Sequence, residues 1–276
     1  MTKAKRRAKK IGTLILIGGS EDRLGPATIL MEIARRVGEG VLVIATVASS
    51  RGDESWKEYR KTFKRLGVKH IRHLDVVNRT ESIDYKALAI LEEADAVFFT
   101  GGDQLKITSE LGGTPAGEEV AKIYERGGVI AGTSAGASVM SDVMFVGPSA
   151  DRAFRLGSFQ RMAPGLGLVN DMIIDQHFVE RGRIARLIGA VAQNPKFLGL
   201  GLDENTAIVM PSRDRFQVIG EGAVVVVDAH ESTNNNTSEK NSPDTSLSIF
   251  NVRFHLLTSG DRFDITGKAP IKGKVA

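Results

Sequence analysis

The chain has no cysteine among its 276 residues. That excludes disulfides, thiolate metal sites and a cysteine nucleophile, and it gives no hint of secretion. No apolar run approaches the roughly 18 residues of a membrane-spanning helix, so no membrane partner is expected. Aromatics are scarce at 6%, and the one tryptophan, Trp56, sits at helical spacing with Tyr59, Phe63 and Leu66. It therefore reads as a packing residue, not a ligand platform. Net positive charge is also slight. The formal value is +4, and six basic residues (Lys3, Lys5, Arg6, Arg7, Lys9, Lys10) crowd the first ten positions. The rest is near neutral, which argues against a nucleic-acid footprint. Residues 1–11 read as a basic flexible tail without the apolar core and cleavage site of a signal peptide, so a cytoplasmic location is expected.

What is present suits a soluble globular protein: 42% hydrophobic and 25% charged residues, in a chain long enough to bury a sizeable core. Apolar strands over residues 13–17, 41–47, 71–77, 94–100 and 129–131 alternate with amphipathic helices. This alternation predicts an α/β fold with a parallel sheet and helices on both faces. The helices are read from Pro26 to Gly38, from Asp53 to Gly67, from about Ser82–Asp84 onward, and over residues 116–125. The second half reads as a strand at residues 172–174, a helix over 180–191, a strand at 197–202 and then short β segments. With no repeat and no linker, residues 12–276 are expected to form one domain. A Ser/Thr/Asn-rich loop at residues 231–246 carries no chemistry of its own.

Gly132-Thr133-Ser134-Ala135-Gly136 follows the strand at 129–131 directly. A serine hydroxyl becomes a useful nucleophile when a sharp strand-to-helix turn lifts it clear of the sheet beside a base and oxyanion donors. In parallel α/β sheets, sites lie beyond the carboxyl ends of the strands. Gly18-Gly19, Gly101-Gly102 and Ser134 all fall at such ends and should converge. Of the five histidines, His177 also follows a strand directly, in Asp175-Gln176-His177-Phe178, and is the candidate base. Asp151, Glu180, Asp203 and Glu204 are the carboxylates available to orient it. Arg183 and Arg186, three apart beyond His177, read either as a solvated basic face or as a bidentate carboxylate clamp.

Five blocks then carry a resemblance: Gly18-Gly19-Ser20-Glu21-Asp22, Thr100-Gly101-Gly102-Asp103-Gln104, the serine turn, Ile174-Asp175-Gln176-His177-Phe178 with Arg181-Gly182-Arg183, and Gly201-Leu202-Asp203-Glu204-Asn205-Thr206-Ala207. In this order, over roughly residues 12–258, the chain resembles the cyanophycinases, serine exopeptidases of the family that also holds the aspartyl dipeptidases. The resemblance implies a flavodoxin-like core akin to class I glutamine amidotransferases, with a C-terminal β extension. It implies hydrolysis of cyanophycin, a poly-aspartate carrying arginine on each side chain, to β-Asp-Arg, by a homodimer without metal or organic cofactor. Ser134 is then the nucleophile, His177 the base, and Asp151, the nearest match to the family's acidic position about 15 to 18 residues past the serine, the third member. The amides of Gly101, Gly102 and Ala135 would hold the oxyanion, and Gln104, Asp175, Gln176, Arg183 and Arg186 the substrate. Two other readings stand beside it, an aspartyl dipeptidase for short Asp-X peptides and a non-catalytic binding module.

Overall fold

A computed structural model describes residues 11–147, 154–156, 161–237, 242 and 244–273. The first half alternates as its apolar pattern predicts: β1 (Thr13–Ile17), α1 (Thr28–Val37), β2 (Val41–Ala45), α2 (Gly52–Arg65), β3 (His70–Leu74), α3 (Arg79–Ile83), α4 (Tyr85–Glu92), β4 (Ala96–Phe99), α5 (Gln104–Leu111), α6 (Pro115–Glu125), β5 (Val129–Thr133) and the short α7 (Ala135–Ser138). The second half holds β6 (Val143–Phe145), β7 (Met162–Pro164), β8 (Met172–Gln176), α8 (Ile184–Gln193), β9 (Leu198–Leu202), β10 (Thr206–Ser212), β11 (Arg215–Gly220) and β12 (Val224–Asp228). It ends in β13 (Asn234–Asn235), β14 (Ile249–Phe250), β15 (Arg253–Leu257), β16 (Arg262–Asp264) and β17 (Ala269–Ile271). Asp103 caps α5 by accepting from the Leu105 amide, a helix that the sequence pattern did not announce.

Nine strands form the main sheet, in the order β17-β16-β11-β10-β1-β5-β4-β2-β3. The segment β1-β5-β4-β2-β3 is parallel, and all of its strands but the edge strand β3 are buried on both faces. Ile15, Ile17, Leu42, Ile44 and Phe98 pack with α1 and α2 on one side. Leu14, Leu16, Val43, Val97 and Ile130 pack with α4, α5 and α6 on the other. At roughly 25 cal/mol per Å² of apolar area, this two-sided burial is the main force that locks the strand ends in place.

The strand that precedes His177 does not join the parallel sheet. The position beside β1 is taken by β10, antiparallel, with Leu14 opposite Met210 and Ile17 opposite Ala207. β8 lies instead in a second sheet of order β15-β12-β9-β8. That sheet packs Leu200, Leu202, Val224 and Val226 against Ile208, Met210, Phe216 and Val218 of the main sheet. Its outer face is covered by α8 through Leu187, Ala190 and Val191. The Asn-rich stretch opens a small hairpin in which Asn234 and Asn235 pair with Phe250 and Ile249. Among the described residues, no helix is long and apolar enough to cross a membrane.

Candidate active site

β5 delivers Ser134 at φ 54°, ψ −113°, and α7 begins at the next residue. A non-glycine residue with positive φ is strained, so the turn must be held by its surroundings. The Ser134 amide donates to the Ile17 carbonyl at 3.0 Å, and the Ser134 carbonyl accepts from the Ala137 and Ser138 amides. The flanking glycines are required by contact. A Cβ on Gly132 would stand 2.3 Å from the Gly136 carbonyl oxygen, and one on Gly136 would stand 2.5 Å from that of Phe99. Gly101 faces the nucleophile, its Cβ position 3.5 Å from the Ser134 Cβ. Gly102, at φ +145°, passes so close to Ala48 that no side chain fits.

The Ser134 hydroxyl lies 2.9 Å from His177 Nε2, and His177 Nδ1 lies 2.5 Å from Glu204 Oε1. Although β1 and β8 belong to different sheets, their carboxyl ends meet: the His177 amide donates to the Gly18 carbonyl at 2.8 Å. Glu204 comes from the turn after β9, the strand that runs parallel to β8 with Gln176 opposite Leu202. Its amide donates to Glu180. Asn205, also at positive φ, donates its amide to the Gly19 carbonyl and accepts from the Asp22 amide through Oδ1. The hydrogen bond from His177 holds the Glu204 carboxyl below its usual range, with help from Ser20.

Here the sequence reading needs revision. Asp151, expected behind the histidine, lies outside the described residues, and the carboxylate found at Nδ1 is Glu204. Asp203 is committed elsewhere, accepting from the Val179 and Ala223 amides, and Glu180 supports the Glu204 backbone. Glu204 shares with Asp203 the signal that marked His177, a position just past the end of a parallel strand, so the signal alone does not single it out.

The two arginines beyond His177 form neither a solvated face nor an open clamp. Asp175, 1% exposed, accepts from Arg183 Nη1 at 3.1 Å and from both Nε (2.6 Å) and Nη2 of Arg186. Arg183 Nη1 also reaches the carbonyl and the side-chain oxygen of Gln176, while its buried Nε has no partner among the described residues. Burial pushes the Arg183 guanidinium down to about 10, against the opposing pull of Asp175. It remains a cation at neutral pH. Arg186 lies over the Phe145 ring, 4.6 Å from its centroid, and Gln104 donates to the Phe145 carbonyl at 2.8 Å. Gln104, Asp175, Gln176, Arg183 and Arg186 thus form one connected wall joined through Phe145. Among the described residues, the two cations share the one carboxylate of Asp175.

The family model of peptidase family S51 matches residues 14–219. A cyanophycinase from Trichormus variabilis is 36% identical over 256 residues, covering 91% of this chain and 85% of that protein. A cyanophycinase from Geminocystis herdmanii is 34% identical over 266 residues, covering 95% and 97%. Among solved structures, a peptidase from an acI-B1 actinobacterium matches with a TM-score of 0.66 at 23% identity, covering 93% of this chain and 98% of its own. A putative peptidase E protein from Listeria monocytogenes EGD-e matches with a TM-score of 0.52 at 16% identity, covering 76% and 98%. The structural likenesses carry the mixed α/β fold with its central parallel sheet. The sequence matches span nearly the whole chain and carry the lineage: this protein belongs to peptidase family S51, the serine hydrolases that include the cyanophycinases.

Proposed function

We propose that the protein is a serine exopeptidase that hydrolyses cyanophycin to β-Asp-Arg dipeptides, with Ser134, His177 and Glu204 as its catalytic triad. The observation that carries the reading is the continuous relay from the Ser134 hydroxyl through both ring nitrogens of His177 to Glu204. The relatives' names supply the substrate class. Ser134 attacks the scissile carbonyl while His177 Nε2 takes its proton, and Glu204 fixes the tautomer and stabilises the imidazolium. The Ala135 amide and that of Gly101 or Gly102 would receive the oxyanion, each donor worth about 2.7–4 kcal/mol. His177 then protonates the leaving amine, and water resolves the acyl-enzyme. The strand order and the serine at the elbow support a flavodoxin-like fold akin to class I glutamine amidotransferases.

The wall beyond His177 fits the substrate's end. A terminal unit offers free carboxylates, and the guanidinium groups of Arg183 and Arg186 would meet one of them. The same cluster distinguishes this reading from an aspartyl dipeptidase, since a short Asp-X peptide with an apolar second residue has less use for it. Mass spectrometry of products from purified polymer tests the proposal. β-Asp-Arg alone is expected, with Ser134→Ala inactive. Wild-type hydrolysis by Ser134→Ala, or faster turnover of Asp-Leu than of polymer, would refute it.

A further inference from the structure

Beneath the nucleophile lies a carboxylate that the triad chemistry does not use. Glu21 is 4% exposed. Its Oε2 accepts from the Thr133 hydroxyl at 2.5 Å, and its Oε1 accepts from the Tyr59 hydroxyl at 2.5 Å. Thr133 is the last residue of β5, 3% exposed, and is joined directly to Ser134. Tyr59 projects from α2 and packs against Phe98 with ring centroids 4.8 Å apart. Burial, and then the neighbouring Glu21, push the Tyr59 hydroxyl well above its ordinary range, so it stays a donor. Arg23 lies 5.3 Å from the Tyr59 ring centroid and is paired with Glu58. The two recorded donors to Glu21 are both neutral hydroxyls.

Burying a carboxyl group on two neutral hydroxyl donors costs stability. What it serves follows from the chain path. Glu21 belongs to the five-residue segment Gly18–Asp22 that leaves β1. In that segment the Gly18 carbonyl accepts from the His177 amide, and the Gly19 carbonyl accepts from the Asn205 amide beside Glu204. Gly19 lies against the His177 ring, and Glu21 grips the residue before Ser134. One short loop therefore touches the base, the neighbour of the third member and the strained elbow. We infer that Glu21 is a positioning residue for the S51 reaction, holding Thr133 so that the Ser134 hydroxyl meets His177 Nε2 in register. The inference rests on the assignment of Ser134 and His177 above.

The test compares Glu21→Ala, Glu21→Gln and Thr133→Val with wild type and with Ser134→Ala. The readouts are kcat and KM on the polymer, the rate of Ser134 labelling by a fluorophosphonate, and the melting temperature. Glu21→Ala is expected to lower kcat 10- to 100-fold and the labelling rate in parallel, with KM within about threefold. Glu21→Gln has an oxygen to accept from Thr133 and should recover most of the loss. Thr133→Val keeps the shape but removes the donor, so it should reproduce the Glu21→Ala defect in a folded protein. Wild-type kcat in both Glu21→Ala and Thr133→Val would overturn the inference, as would a defect confined to KM. Full activity in Ser134→Ala would instead overturn the assignment beneath it, which separates the two failures.

Discussion

Gly19 lies flat against the ring of His177. A Cβ built on Gly19 would stand 2.3 Å from the imidazole Cε1 and 2.4 Å from Nε2, so the absence of a side chain is what lets the base face Ser134. The backbone there, at φ +108°, is also one that other residues rarely adopt. Gly19→Ala should therefore displace the imidazole. Because misplacements near 1 Å cost on the order of 100-fold, kcat should fall by about that factor, while Gly38→Ala, with open space around its Cβ position, should leave kcat unchanged. Steady-state kinetics on the polymer checks both, and wild-type kcat in Gly19→Ala would show that the ring has room to spare.

Glu204 holds the position at His177 Nδ1, and substitution separates it from Asp151. Glu204→Gln keeps the length but can present an amide N–H to Nδ1, favouring the wrong tautomer. By analogy with the loss when a triad aspartate becomes asparagine, kcat should drop as much as roughly 10⁴-fold. Fluorophosphonate labelling should slow with it, and the melting temperature should move little because Glu204 is partly exposed. If Asp151→Asn rather than Glu204→Gln removed kcat, the orienting group would be the one first expected from the sequence.

The pH profile follows from the same contact. The bond from His177 lowers the folded-state Glu204 carboxyl below its ordinary range. A depressed carboxyl stays ionised as pH falls past the usual glutamate value near 4.3 and protonates only below it. Glu204 should then add no ionisation of its own to the acid limb of kcat/KM above the usual glutamate value. A slope of two between about pH 5 and 4 in the wild type would mean that Glu204 titrates there and is not held ionised.

How far the sequence led can be judged from particular positions. The parallel core was legible because strands buried on both faces read as continuous apolar runs, and Ser134 because the elbow needs small residues at Gly132 and Gly136. His177 was legible from its place after a strand even though that strand belongs to another sheet. The reason is that both sheets bring their carboxyl ends to Gly18. The choice among Asp151, Glu180, Asp203 and Glu204 was not legible. It depends on the pairing of Gln176 with Leu202, which sets which side chain after β9 faces the ring, and strand pairing between distant segments leaves no local mark. Glu21 stood inside a recognised block without a role, since burial beneath the elbow is a property of the folded chain alone.

The arginine pair offers a test that separates binding from stability. Asp175 accepts from both guanidinium groups, and all three side chains are largely buried. Asp175→Asn would remove the carboxylate that the two guanidinium groups share, a loss of about 3–5 kcal/mol by comparison with other broken buried pairs. At roughly 2–4 °C per kcal/mol for a chain of this size, melting should fall by about 6–20 °C. Arg186→Met acts in the opposite sense on charge. It leaves Arg183 paired with Asp175 and keeps an apolar side chain over Phe145, so its thermal cost should be small. What it removes is one of the two guanidinium groups proposed to meet the substrate carboxylate. A charge-assisted contact is worth about 1.5–3 kcal/mol, so KM for the polymer should rise at least tenfold with kcat within a few-fold. Differential scanning fluorimetry and steady-state kinetics on the two variants give the contrast. If Arg186→Met melted far below wild type while KM stayed put, the pair would be a structural brace for β8 and α8, and the substrate carboxylate would have to be met by other groups.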